Sequence, residues 1–181
     1  MAKVYLSLGS NLGNKLSNLK RAIHHLKKNI KVLKISPFYK TEPVGYKNQD
    51  WFLNCVVEAE TGIKPLELLR LLKLIEKKLK RVKTIKYGPR TMDIDILFYG
   101  DRIIKSKKII VPHPRMHKRL FVLEPLSRIN ENLIHPKLRK TIRELKNKIK
   151  NKKSVELYTS KVSETNIYTK LKNKRPMHFP K

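Results

Sequence analysis

The apolar side chains along residues 4–98 switch between a period of two and a period of about 3.6, and the order of those switches limits the fold more than any other feature of the chain. Val4-Tyr5-Leu6-Ser7-Leu8 alternates and predicts a strand that ends at Gly9. Leu12, Leu16, Leu19, Ile23 and Leu26 then recur at helical spacing and predict an amphipathic helix over residues 13–28. Val32, Leu33 and Ile35 predict a second strand, stopped by Pro37, which has no N–H for a ladder. Residues 41–50 are polar, carry Pro43 and Gly45, and read as a loop. Residues 51–60 read as a third strand, with Trp51, Leu53, Cys55, Val57 and Ala59 on one face and Phe52, Asn54, Val56, Glu58 and Glu60 on the other. Pro65 suits a helix N-terminus, and Leu68, Leu71, Leu72, Ile75 and Leu79 form the stripe that follows. Gly88-Pro89 marks a loop over residues 83–90, and residues 92–98 predict a fourth strand with Met92, Ile94 and Ile96 on one face.

The order β-α-β-β-α-β is that of the ferredoxin-like split unit, an α+β fold in which helices pack on one face of an antiparallel sheet. Beyond it, residues 103–111 predict a short hairpin, and residues 117–127 and 137–149 predict helices. One domain is expected over residues 1–160, with residues 161–181 an aperiodic, basic tail expected to be mobile.

Charge limits the partners. Lys plus Arg number 43 and Asp plus Glu 14, a net +29. Residues 148–181 hold ten Lys or Arg and two Asp or Glu, a net +8, so +21 belongs to the body of the chain. Lysines such as Lys73, Lys77, Lys78 and Lys80 along helix faces read as a solvated basic surface, or as a nucleic-acid-binding one. The second alternative, a basic ferredoxin-like nucleic-acid-binding module, calls for sheet aromatics in a Lys/Arg-Gly-Phe/Tyr motif that this chain lacks. The single cysteine, Cys55, excludes an intrachain disulfide. No uncharged apolar run approaches the roughly 18 residues a membrane span needs, and the N-terminal apolar run is too short for a signal peptide. A cytoplasmic protein without membrane partners is the expectation.

Asp93 and Asp95 are the strongest chemical signal. On a strand, side chains at i and i+2 share a face about 6.6 Å apart. Two such carboxylates suit hard divalent cations, and Mg²⁺ uses one or two carboxylates together with substrate phosphates. Arg81, Lys83, Lys86 and Arg90 lie just upstream, where cations can hold the outer oxygens of a polyphosphate. A solvated strand face paired with these bases is the plainer alternative. There is no Gly-x-x-x-x-Gly-Lys-Ser/Thr loop. Gly9-Ser10-Asn11 before the first helix is either a simple turn or a source of backbone N–H groups for an anion. Phe52 and Asn54 share a strand face and together offer a stacking surface and an amide to a flat heterocycle. His113 and His117 are four apart, but Pro114 interrupts a helix between them and no third zinc ligand is near, so a His beside phosphates fits better.

These residues bring out a family likeness. The run Lys86-Tyr87-Gly88-Pro89-Arg90-Thr91-Met92-Asp93-Ile94-Asp95-Ile96-Leu97 resembles the signature of the 6-hydroxymethyl-7,8-dihydropterin pyrophosphokinases of folate synthesis. Gly9-Ser10-Asn11-Leu12-Gly13, Phe38-Tyr39-Lys40-Thr41, Phe52-Leu53-Asn54 and Val111-Pro112-His113 extend the resemblance over residues 3–145 in the family's order. The resemblance implies pyrophosphoryl transfer from ATP to the pterin hydroxymethyl group, releasing AMP, by a monomer acting on small-molecule substrates. It implies that Asp93 and Asp95 hold two Mg²⁺ ions, with Asp95 near the attacking hydroxyl, and that Arg81 and Arg90 act from a closing loop. By the same likeness Glu76, Lys83, Tyr87, Arg90, Ile96, His113 and Arg119 bind ATP. Phe52 and Phe121 sandwich the pterin ring, and Asn54 with Thr41, Glu42 and Val44 reads its polar edge. Lys83 and Lys86 stand where some members carry Arg, which grips phosphate bidentately as Lys does not.

Overall fold

The computed structural model describes residues 1–81, 88–150 and 155–159. In chain order its elements are β1 (Ala2–Ser10), α1 (Lys15–Lys27), β2 (Lys31–Ile35), β3 (Tyr39–Thr41), β4 (Phe52–Thr61), α2 (Pro65–Lys78), β5 (Asp93–Tyr99), β6 (Ile104–Lys105), β7 (Ile110–Val111), a 3-10 turn at Met116–Lys118, α3 (Leu120–Asn130), α4 (Ile142–Asn147) and β8 (Val155–Leu157). The sheet order is β5-β1-β4-β3-β8, with β2 also on β4, and every paired neighbour is antiparallel. This is the split β-α-β-β-α-β arrangement, with its second strand divided in two.

Pro37 causes the division. It ends β2 as the sequence suggested, but the chain stays on the edge of β4 and resumes as β3. Ser36 carries the sheet across the gap: its N–H donates to Val56 O at 2.9 Å, and its Oγ accepts from Val56 N–H at 2.9 Å. Thr41 therefore ends a strand, where a loop over residues 41–50 was expected. Trp51 is also corrected. It lies outside β4 and is 39% exposed, so the inward face begins at Leu53.

One face of the sheet carries Val4, Leu6, Leu8, Leu53, Cys55, Val57, Ile94 and Ile96. Leu19, Ile23 and Leu26 of α1 and Leu68, Leu72 and Ile75 of α2 pack onto it. The split unit alone would leave the other face open, and helices on one face only were expected. Instead Tyr5, Val56, Leu97 and Phe98 are covered by Val122, Leu123 and Leu126 of α3 and by Ile142 and Leu145 of α4. A bulge in β5 serves both layers. Leu6 faces Ile96 while Tyr5 faces Phe98, so Leu97 is an extra residue. Leu97 and Phe98 therefore both reach the second layer, and Tyr99 returns to the first.

Helix boundaries follow local chemistry. Gly13 has φ +63°, and Asn14 Oδ1 accepts from Ser17 N–H at 2.9 Å, so α1 begins at Lys15 rather than 13. The helix expected over residues 117–127 is a 3-10 turn followed by α3. The one expected over 137–149 is only α4, opened by a Thr141–Glu144 capping box. The hairpin expected over residues 103–111 is β6 and β7. Residues 161–181, expected to be a tail, lie outside the described residues. Among the described residues no helix is long and apolar enough to cross a membrane.

Candidate active site

Ladder register assembles the site. Gly9 of β1 stands opposite Asn54 on one side and Asp93 on the other, and Ser7 stands opposite Val56 and Asp95. Alternation turns all of these away from the α1 and α2 layer. Two small residues thus form the central row of the floor, and a cavity of about 400 Å³ opens above them. Arg119 and Phe121, at the start of α3, wall it on the far side.

At the end formed by β3 and β4 lie Thr41, Phe52 and Asn54, and Glu42, Val44 and Phe121 also line the cavity, which completes the six residues expected to hold a flat heterocycle. Asn54 is buried, and its Nδ2 donates to Thr41 Oγ1 at 2.5 Å, which fixes the orientation of the amide. Gly9 makes room for that amide: a Cβ there would lie 2.3 Å from Asn54 Oδ1 and 3.7 Å from Phe52 Cδ1.

At the other end lie Arg90, Asp93 and Asp95. Asp93 is held from both sides, with Oδ1 2.8 Å from Arg81 Nη1 and Oδ2 2.6 Å from Arg90 Nη1. Asp95 faces the cavity. Desolvation there, then the charge of Asp93, raise its pKa above the usual carboxylate range, against the pull of Lys73, Arg119 and Arg81. Two carboxylates on one face of one strand offer the oxygen donors that a hard divalent cation takes, its shell completed by substrate phosphates. His113 Nε2 lies 3.9 Å from Asp95 Oδ2, and its Nδ1 accepts from Arg115 N–H at 3.3 Å, which leaves the ring proton on Nε2. Burial, then Arg119 and Arg115, push its pKa down to about 4, so the ring is neutral at pH 7.

The remaining expected residues fall differently. Glu76 is buried on α2 behind β5 rather than on the cavity lining. Its carboxylate accepts from Ile94 N–H at 2.8 Å, pairs with Lys73 at 2.8 Å, and holds Arg81 at 2.5 Å, so it anchors the base of the Arg81–Asp93 pair. Ile96 puts its side chain into the core below α1 and α2, because strand alternation turns it away from Asp93 and Asp95, and only its backbone is left for a nucleotide. Lys83 and Tyr87 lie outside the described residues. The Asn11 N–H, considered for an anion, donates instead to Arg90 O at 3.1 Å. The Asn11 side chain accepts from Arg90 N–H at 2.8 Å and donates to Gln49 Oε1 at 2.9 Å and Asp50 O at 3.0 Å. One buried amide therefore ties the loop after β3 to Arg90.

Ser7, Gly45, Arg115 and Lys118 also line the cavity and were not singled out from the sequence. The period-two pattern of β1 could have found Ser7. Arg115 precedes the 3-10 turn and Lys118 ends it, where no period operates.

A carboxylate pair among arginines thus shares one cavity with two aromatic rings and a buried amide, between the helical layers of an α+β sandwich. The family model described as 7,8-dihydro-6-hydroxymethylpterin-pyrophosphokinase (HPPK) matches residues 5–131. A 2-amino-4-hydroxy-6-hydroxymethyldihydropteridine pyrophosphokinase of Aquifex aeolicus is 45% identical over 146 residues, covering 81% of this chain and 91% of the relative. A protein of the same name from Bacillus subtilis is 46% identical over 127 residues, covering 69% of this chain and 76% of the relative. Among solved structures, wild-type Plasmodium falciparum HPPK-DHPS with SDX-DHP superposes with a TM-score of 0.68 at 20% identity. That match covers 87% of this chain but 47% of the other, so the chain spans about half the length of that protein, and the likeness is one of fold. The chain belongs to the HPPK family.

Proposed function

We propose that the cavity is where pyrophosphate passes from ATP to the hydroxymethyl oxygen of 6-hydroxymethyl-7,8-dihydropterin, releasing AMP, as a step of folate synthesis. The observation that carries this reading is a cavity lined both by Phe52, Asn54 and Phe121 and by Asp93, Asp95 and Arg90, with β4 and β5 on opposite sides of β1. The pterin is neutral, flat and edged with donors and acceptors. It stacks between Phe52 and Phe121, and Asn54, held by Thr41, reads its edge together with the backbone around Glu42 and Val44.

The hydroxymethyl oxygen attacks the β-phosphorus of ATP, the bond from that phosphorus to the αβ-bridging oxygen breaks, AMP leaves with that oxygen, and the hydroxyl proton passes to solvent. Two Mg²⁺ ions, held by Asp93 and Asp95 together with the phosphates, would supply charge neutralisation and in-line alignment. Arg90 and Arg81 exchange their hold on Asp93 for the phosphate oxygens, Arg119 faces the same oxygens, and neutral His113 donates from Nε2. Glu76 keeps Arg81 in reach. Asp95, beside the acceptor oxygen, is the carboxylate whose loss matters most. The domain at 1–160 acts as a monomer in the cytoplasm, where ATP is available. The nucleic-acid reading draws no support from the fold, because among the described residues α1 and α2 pack on one face of the sheet and α3 and α4 on the other, where that reading needs an open face of aromatics.

The test is AMP release from Mg-ATP, followed with and without 6-hydroxymethyl-7,8-dihydropterin. The reading expects AMP only when pterin is present. AMP formed at the same rate without pterin, or none from folded protein, contradicts it.

A further inference from the structure

We propose that the segment Val155–Tyr158, which lies beyond the match to the family model, is a positioning element for the pterin end of the cavity: as β8 it clamps β3, and through β3 it sets Thr41 against Asn54. The inference rests on the proposed function and deepens it.

β3 is three residues long and is joined on its inner side only to the start of β4, with Tyr39 opposite Asn54 and Thr41 opposite Phe52. A strand so short, followed by a loop with Pro43 and Gly45, is held weakly on that side alone. β8 supplies the outer partner. Tyr39, Lys40 and Thr41 face Leu157, Glu156 and Val155. Tyr158 N–H donates to Phe38 O at 2.9 Å, which makes Phe38 and Tyr158 a hydrogen-bonded pair. Antiparallel alternation then makes Lys40 and Glu156 the next such pair, and leaves the polar backbone groups of Tyr39 and Thr41 for β4. The backbone that β4 does not satisfy is thus satisfied by β8.

Side chains tie the clamp on both faces. On one, Lys40 Nζ sits 5.8 Å from the centre of the Tyr158 ring, which packs against the α1 core. On the other, Tyr39 is buried where β3 packs on α3, with Arg128 of that helix close enough to act on its hydroxyl, and the same helix carries Phe121. β8, β3 and α3 are therefore one connected unit bearing two walls of the pterin slot, Thr41 and Phe121. The phosphate end hangs mainly on β5, and its links to this unit are Arg119 at the start of α3 and the Asn11 amide between Arg90 and the loop after β3. Asp93, Arg81, Arg90 and Glu76 are held to one another and to β5. Loosening β8 is expected to weaken the grip on pterin and leave the grip on ATP alone.

The full-length double variant Glu156→Pro/Tyr158→Pro removes both N–H groups aimed at β3. Glu156→Ala/Tyr158→Ala removes the side chains and keeps both. Steady-state kinetics with each substrate varied is combined with direct pterin binding by calorimetry. The proline pair is expected to raise the pterin KM and Kd roughly fivefold or more, with ATP KM and kcat within about twofold, and the alanine pair to recover most of the pterin affinity. Hydrogen exchange over residues 38–41 should rise in the proline pair. Unchanged pterin affinity despite faster exchange there, or equal losses for ATP and pterin, overturns the proposal. Should the proline pair not fold, Tyr158→Pro alone is read by the same criteria, and its unfolding too would overturn the proposal by showing that β8 supports the whole fold rather than one strand. Failure of the proposed function itself would show separately, as no pterin-dependent AMP from the wild-type protein.

Discussion

Gly9 owes its place to a distance. The 2.3 Å that would separate a Cβ from Asn54 Oδ1 is too short for any contact, and Asn54 is buried and bonded to Thr41, so it has little room to yield. Gly9→Ala is therefore expected to raise the pterin KM roughly tenfold or more while the ATP KM stays near wild type, as steady-state kinetics would record. Equal KM values for pterin in both proteins would remove Asn54 from its proposed role. His113 makes a pH prediction. Its pKa is lowered from 6.5 to about 4, so the unfolded chain binds its proton more readily than the folded one between those values. Stability that is complete above about 6.5 is lost as pH falls towards 4, by an amount on the order of 3 kcal/mol. Asp95, with a raised pKa, works in the opposite sense over the acid range, so the comparison must be with His113→Gln. Thermal melts should show the wild type losing stability relative to that variant as pH drops from 7 to 4, and parallel curves would contradict the assignment. At this scale the sequence was informative wherever a strand displays residues two apart. Asp93 with Asp95, and Phe52 with Asn54, could be read from alternation alone. It was uninformative about Glu76, whose inward turn depends on a strand backbone eighteen residues away meeting α2.

Among the elements, the long ones and the β6–β7 hairpin were legible, and β3 and β8 were not. β1, β4, β5, α1 and α2 each carry enough apolar residues for their period to be recognised. β3 and β8 are three residues each, too few to show a period, and both exist because a neighbour supplies the ladder. Pro37 was rightly taken as a stop, but Ser36 let the chain rejoin the same edge, a tertiary event that no local pattern encodes. The β5 bulge is of the same kind: Leu97 and Phe98 point together only because β1 has one residue fewer over that stretch. α4 is set by its cap. The Thr141 side chain accepts from Glu144 N–H at 3.2 Å, and Glu144 Oε2 accepts from Thr141 N–H at 2.7 Å. Thr141→Ala removes the side-chain half of the box, leaving the backbone N–H at 141 to Glu144, and is expected to cost about 1 kcal/mol in urea unfolding with kcat/KM unchanged, since α4 packs into the second core layer. A loss of activity without a loss of stability would mean that α4 reaches the site.

Over the whole molecule, two helical layers enclose one sheet, and the cavity opens where small residues in the middle of β1 leave the floor bare. That explains how an excess of +29 can coexist with a site built on two carboxylates. Among the described residues, lysines such as Lys73, Lys77, Lys78 and Lys80 are exposed, while Arg81 and Arg90 turn inward to hold Asp93. The central claim is that pterin and phosphate chemistry are separate ends of one cavity, joined at Asp95. The most direct measurement is pterin-dependent AMP release by Asp95→Asn beside the wild type, with pterin affinity taken by calorimetry on both. Turnover reduced on the order of a hundred- to a thousandfold, with pterin affinity retained, is the predicted result. Wild-type turnover in the variant, or loss of pterin binding equal to the loss of turnover, would contradict the account.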